Sequence, residues 1–302
     1  MTPIVHIGYH KTASSWLQQA FFPALSDSIL LYEHPVLWEE LMLPPGLEFD
    51  AGRCRAFMQG LVDEAAGRDL LPVFSSERLS GNPHSGGYDA AVMADRLRDC
   101  LDDARILVVI REQKAVLASN YKQYIKMGGT CRLEEYLSAP FDGRVPLFRL
   151  DNFAYQHLVS YYRDSFGPDK LLVLPYEWLR AAPRRFADEL LAFMGLAAVE
   201  LPDDLFVQGV NVSMNDLQLR LKRWANHFSG NDSLHPVKPM APRLAEWCVS
   251  RIDALAESEF ARRHDARIGD RVAAVVGDHY RDANRELQQL VPFDLAELGY
   301  AT

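Results

Sequence analysis

The chain has 302 residues, 48% of them hydrophobic and 11% aromatic, with a formal net charge of −9 at pH 7. This length and apolar content allow one large core or two modest ones. The acidic balance excludes a general nucleic-acid binder, which needs a basic face. Cys54, Cys100, Cys131 and Cys248 stand far apart, with no CxxC pair and no Cys/His cluster. No metal is therefore expected, and reduced thiols point to the cytoplasm. A strand that begins by Ile4 leaves no room for a signal peptide, so none is expected. No apolar run nears the ~20 residues of a membrane span.

Apolar runs alternate with helical patterns, which predicts an α/β fold with a mostly parallel central sheet flanked by helices. One domain over 1–302 is expected, helix-rich from about 213 onward. Ile4–Gly8 reads as a buried strand. A helix is expected from Ser14 to about Phe22, because Trp16, Leu17, Ala20 and Phe21 recur at helical spacing and Pro23 discourages continuation. Ile29–Tyr32 is a weaker strand, and Pro44–Arg53 has loop composition. Leu71–Ser75 is a strand, Gly81–Gly87 a loop, and Ile106–Ile110 is apolar on both faces, as a central parallel strand should be. Glu112–Met127 reads as a helix stopped by Gly128 and Gly129. Leu171–Leu174 is a strand, and Pro183–Met194 a helix with proline in its first turn and Gly195 at its end. Ser229–Pro242 looks like a loop; Leu244–Leu255 and Val272–Leu290 look helical.

The most informative stretch joins the first strand to the first helix through Tyr9-His10-Lys11-Thr12-Ala13-Ser14-Ser15-Trp16. A helix N-terminus has unpaired amides and a partly positive field, so it is suited to a phosphate or sulfate group. Lys11 adds a mobile charge; Ser14 and Ser15 add donors. A nucleotide-kinase loop fits poorly, since it needs glycine at the positions of Val5 and His10. The same strand–loop–helix logic returns at Arg111, which ends an apolar strand, with Ser119 eight residues further on. A guanidinium at such a strand edge can grip two phosphate oxygens while a helix hydroxyl donates to a third. Glu77, just beyond Leu71–Ser75, is a candidate general base at the same edge. His6, His10 and His84 are the alternatives; His6 alternates within its strand and reads as structural.

These segments resemble those of sulfotransferases that use 3′-phosphoadenosine 5′-phosphosulfate, bacterial members included. The first loop is similar to the family's phosphosulfate loop, (Phe/Tyr)-Pro-Lys-Ser/Thr-Gly-Thr/Ser-Thr/Ser-Trp, with His10 in place of proline and Ala13 in place of glycine. Leu171 through Arg180 is similar to the strand that ends in Tyr-Glu-Asp-Leu, and Ser75-Ser76-Glu77-Arg78-Leu79 to a segment bearing a catalytic glutamate. The resemblance implies a P-loop-like sulfotransferase fold and a donor held by Lys11, Thr12, Ala13, Ser14, Ser15, Trp16, Arg111, Ser119 and Tyr176. Lys11 and Glu77 would be catalytic and no metal required. The co-product would be 3′,5′-ADP, and the acceptor a hydroxyl (or amine) of a small molecule, carbohydrate or lipid. Trp16 and Tyr176 would meet the adenine, and both also suit core packing. Asn211-Val212-Ser213 resembles a family Asn-x-Ser stretch. The family's C-terminal Arg-Lys-Gly is not recognisable, which leaves Lys222, Arg223 or Lys238 as substitutes. The other readings are a P-loop-type ATP-dependent kinase and a non-catalytic nucleotide-binding protein of the same fold.

Overall fold

A computed structural model describes residues 2–138, 148–206, 214, 216–229 and 266–302. The apolar runs become five strands: β1 (Ile4–Gly8), β2 (Ile29–Glu33), β3 (Leu71–Ser75), β4 (Arg105–Ile110) and β5 (Leu171–Pro175). All pair in parallel, in the order β2-β3-β1-β4-β5. Every residue of β1 and β3 is buried, and so are the last five of β4. Covered strands of this kind need apolar side chains on both faces, hence the runs without alternation.

The helices are α1 (Ser14–Trp16), α2 (His34–Leu37), α3 (Ala51–Gly67), α4 (Ala90–Cys100), α5 (Gln113–Lys126), α6 (Leu133–Leu137), α7 (Tyr155–Phe166), α8 (Tyr176–Ala181), α9 (Pro183–Met194), α10 (Asp216–Ser229), α11 (Ala266–Val276) and α12 (Arg281–Gln288). Those that share a unit with the sheet flank it, as expected from the alternation of patterns. None among the described residues is long and apolar enough to cross a membrane.

The chain divides into two compact units. The first comprises Met1–Glu112, Asp151–Gln208 and Tyr280–Thr302 and contains the whole sheet. Cys54 on α3 and Cys100 at the end of α4 are free and buried, and their thiols interact, which raises the pKa of Cys100. The second comprises Gln113–Leu150 and Gly209–His279. Tyr121, Tyr124, Tyr136 and Phe148 form one stack within it, with Tyr136 4.4 Å from Phe148 and 4.7 Å from Tyr124. Asn226 donates to the carbonyls of Ile125 and Gly129, both at 2.8 Å, and Arg271 grips both oxygens of Glu134.

Several boundaries differ from the sequence reading for local reasons. Pro44–Arg53 is not all loop, because α3 starts at Ala51, where the Asp50 carboxylate accepts the N–H of Arg53 at 3.0 Å. That cap lies in a segment rich in Gly and Pro, and α3 buries only Cys54, Met58 and Ala65, so its periodicity is faint. The helix expected from Ser14 to Phe22 continues past α1 as a wider, π-helical turn over Leu17–Phe21. Val272–Leu290 is two helices, since α11 stops before Gly277, a left-handed residue with φ 51°. Leu244–Leu255 and residues 230–242 of the expected loop lie outside the described residues.

His6 pairs in register with Ser75 across β1 and β3, and its Nδ1 lies 2.8 Å from the Ser75 Oγ. Burial alone pushes its pKa down to about 3. The unfolded chain then takes up a proton near pH 6.5 that the folded chain refuses. Stability contributed by neutral His6 is therefore complete above pH 6.5 and falls as pH drops toward 3. Between pH 7 and pH 5 this one group should lower stability by about 2 kcal/mol. Urea unfolding at the two pH values should show a correspondingly smaller loss for His6→Gln than for the native chain.

Candidate functional site

The order of the strands decides where a ligand can sit. From β1 the chain crosses to β2 on one side of the sheet, and from β4 it crosses to β5 on the other. Two neighbouring strands whose continuations diverge leave a crevice at their C-terminal ends. The register places Ile4 opposite Arg105 and His6 opposite Leu107, then slips so that Gly8 faces Val108. Beyond the slip the Tyr9 N–H donates to the Val109 carbonyl at 2.9 Å. Lys11 and Arg111 each lie two residues past that contact, and Arg111 Nη1 donates to the Lys11 carbonyl at 3.2 Å.

The loop itself is held by its own side chains. Lys11 and Ala13 have φ of 65° and 78°, both left-handed. Thr12 is buried and its hydroxyl donates to the Tyr9 carbonyl at 2.6 Å; the Ser14 hydroxyl reaches the same oxygen at 3.4 Å. Thr12 therefore shapes the loop with its side chain and has only its backbone to offer a ligand. Ala13 occupies the cap position of α1, and no side chain caps that end. Ser15 is exposed. Trp16 is half-buried, with its ring 5.2 Å from Phe21 and 6.0 Å from Phe186 and its indole N–H 3.4 Å from the Leu205 carbonyl.

On the β4 side, the Arg111 guanidinium lies 4.6 Å from the centre of the Tyr176 ring. The Tyr155 hydroxyl donates to the Arg111 carbonyl at 2.7 Å. Glu177 accepts from the Glu112 N–H at 3.0 Å and the Tyr300 hydroxyl at 3.2 Å. Burial raises the pKa of Glu177, and these donors oppose the rise. Lys11, Arg111 and Tyr176 thus come together at one edge of the sheet. Ser119 is on α5 in the second unit. Lys222 and Arg223 are on α10 in that unit; Lys238 and Asn211-Val212-Ser213 lie outside the described residues.

Glu77 follows β3 on the other side of β1. Gly8 has φ 104°, which strains any side chain there, and a Cβ would crowd the Glu77 Cα at 3.0 Å and the Ser80 Oγ at 3.1 Å. Gln18, in the turn after α1, donates to the Ser75 hydroxyl at 3.1 Å and reaches Glu77 Oε2 at 3.5 Å. Ser76 Oγ lies 2.9 Å from His34 Nδ1, and the Glu77 carboxylate acts electrostatically on that imidazole. The first strand therefore places the Lys11 loop between the arginine and the glutamate.

The family profile of the sulfotransferase domain matches residues 2–206, which span Lys11, Glu77, Arg111, Ser119 and Tyr176. The chain belongs to the sulfotransferase family. Among solved structures, this sulfotransferase is similar to one from Alicyclobacillus acidocaldarius, at 17% identity and TM-score 0.49 over 86% of this chain and 97% of the other. It is similar to the sulfotransferase domain from the curacin biosynthetic pathway, at 13% identity and TM-score 0.42 over 84% and 98%. It is also similar to a mouse sulfotransferase complexed with PAP, at 13% identity and TM-score 0.40 over 95% and 89%. No curated protein matches the chain.

Three residues of this sulfotransferase's site carry no signal in the sequence reading. Gln18 and His34 meet the Glu77 segment only through the fold, and no local pattern marks them. Tyr155 holds the Arg111 carbonyl from α7, a helix the sequence reading did not separate from its surroundings. Tyr121, Tyr124 and Phe148 are buried in the aromatic cluster of the second unit.

Ala13 offers a direct check on the loop. A left-handed alanine costs about 1–2 kcal/mol, partly offset because glycine loses more backbone freedom on folding. Ala13→Gly should stabilise the chain by a net ~0.5–1 kcal/mol in chemical denaturation. Destabilisation would show that the loop does not hold this conformation in solution.

Proposed function

We propose that this chain transfers a sulfuryl group from 3′-phosphoadenosine 5′-phosphosulfate to a hydroxyl of a small-molecule acceptor. The observation that carries the reading is the contact of Arg111 with the Lys11 carbonyl, because it brings two cationic strand-end elements to a single crevice. A donor with phosphate groups at both ends of one nucleoside calls for two such elements within one molecule's length. The residues present suit it: an uncapped helix start behind a lysine for one end, a guanidinium for the other.

In this reading Lys11 and the amides of the Lys11–Trp16 loop bind the 5′-phosphosulfate, with Ser14 and Ser15 as further donors. Arg111 binds the 3′-phosphate. Ser119 joins it there on the strength of the family resemblance alone. Tyr176, under the guanidinium, and Trp16 border the adenine. Sulfuryl transfer is in-line and moves negative charge onto the bridging oxygen of the leaving phosphate, so its rate depends on alignment and on a fixed positive charge at that oxygen. Lys11 supplies the charge. Glu77 accepts the acceptor's proton as the new S–O bond forms and the bond to the leaving phosphate breaks. Nothing in this scheme requires a metal, and a cytoplasmic setting is proposed on the reduced cysteines.

Two measurements test the scheme. By thermal shift, 3′,5′-ADP should stabilise the protein far more than 5′-AMP or ATP with magnesium, and Arg111→Ala should abolish most of the preference over 5′-AMP. An unchanged preference would remove Arg111 from the 3′-phosphate. In sulfate-transfer assays Lys11→Ala should lower kcat on the order of 10²–10³-fold and Glu77→Gln on the order of 10²–10⁴-fold, both with native folding. Full turnover in either variant would take that residue out of the chemistry.

A further inference from the structure

Arg111 is held at both of its ends by the first two residues of α8. The Tyr176 ring centre lies 4.6 Å from the guanidinium carbon. Glu177 turns to the backbone instead, and its Oε1 accepts the Glu112 N–H at 3.0 Å. The carbonyl of that same peptide belongs to Arg111 and accepts the Tyr155 hydroxyl at 2.7 Å. One peptide unit therefore has both of its polar atoms gripped by side chains. The second oxygen of Glu177 accepts the Tyr300 hydroxyl at 3.2 Å. Tyr300 is buried, and its neighbour is tied down by Asn284 on α12, which donates to the Ala301 carbonyl at 2.8 Å. All of these residues belong to the first unit.

The arrangement restricts Arg111 where its aim is set. A peptide is planar, so its carbonyl and N–H turn together. Rotation of the 111–112 peptide would break the bonds to Tyr155 and Glu177 at once. The arginine then keeps freedom only along its side chain, and there the Tyr176 ring and the Lys11 carbonyl take it up. A guanidinium matches a phosphate through two parallel N–H bonds, which reward a fixed direction. Burial pushes the Tyr155 and Tyr300 phenols up from their ordinary value, so both remain protonated donors at neutral pH. With its two oxygens engaged by Glu112 and Tyr300, Glu177 makes no ion pair with Arg111 among the described residues. The guanidinium charge is left for a ligand.

We propose that Tyr155, and Tyr300 acting through Glu177, are positioning residues for the 3′-phosphate: they aim Arg111 and so set how strongly the chain prefers 3′,5′-ADP to 5′-AMP. None of the three is assigned a contact with the nucleotide. The segment after α12 thereby takes part in donor selection through one hydroxyl. The inference rests on the reading of Arg111 as the group that binds the 3′-phosphate.

The test is calorimetric titration of the full chain and its variants with 3′,5′-ADP and, separately, with 5′-AMP. Tyr300→Phe keeps the ring and removes one donor; it should cut the preference for 3′,5′-ADP about 10-fold and leave 5′-AMP affinity unchanged. Tyr155→Phe should act in the same direction. Glu177→Met, which loses both contacts, should cut the preference by about 30-fold. Glu177→Gln should hold it within about threefold of the native value, because the amide oxygen still accepts the Glu112 N–H and the amide nitrogen can donate to the Tyr300 oxygen. Should Tyr300→Phe fail to fold, Tyr155→Phe and the contrast between Glu177→Met and Glu177→Gln decide the matter. A merely structural role would weaken both nucleotides alike, or lower the melting temperature with the preference intact; either result overturns the inference. If Arg111→Ala abolishes the preference while Tyr300→Phe and Glu177→Met retain it, the inference falls and the donor reading stands. A native chain without any preference for 3′,5′-ADP overturns the donor reading and the inference with it.

Discussion

Arg111 can donate to the Lys11 carbonyl because β4 lies directly against β1, in a register that slips by one residue near the end of the strand. Much of the site depends on that adjacency. The slip and the Tyr9–Val109 hydrogen bond bring the two loops level, so that a lysine from one and an arginine from the other emerge side by side. Like charges are brought together only where something anionic offsets them. Here the guanidinium is partly accommodated by a carbonyl and an aromatic ring, neither of which neutralises it.

The loop between β1 and α1 carries local backbone strain: two non-glycine residues, Lys11 and Ala13, are left-handed. They persist because Thr12 and Tyr9 lock the turn from inside: the hydroxyl of one holds the carbonyl of the other, and the Tyr9 ring packs 4.8 Å from Tyr155 and 6.0 Å from Phe153. Tyr155 in turn holds the Arg111 carbonyl. The same aromatic cluster therefore supports both cationic elements. Strained backbone of this kind is maintained where the surroundings over-determine it, and it concentrates at sites that work.

Glu77 is positioned by a different device, the absence of a side chain. Gly8, with φ 104°, lets the segment after β3 approach β1 so closely that a Cβ would crowd the Glu77 backbone, and Gln18 reaches Glu77 Oε2 at 3.5 Å. The strand order places the segment bearing Glu77 on one side of β1 and Arg111 on the other.

Local chemistry was legible in the sequence. Uninterrupted β-branched and aliphatic runs mark covered strands, glycines mark helix ends at 128 and 195, and the segment from Tyr9 to Trp16 marks the turn from the first strand into the first helix, because each of these depends on residues within a turn or two of one another. The fold class followed from their alternation, and the strand order brings the loops of Lys11 and Arg111 against each other. What the chain alone did not disclose was anything carried by contacts across it: Gln18 and His34 beside Glu77, and Tyr155 beneath Arg111. Those depend on which strands become neighbours and in what register. That choice is made by the whole buried sheet together, and no local window of sequence contains it.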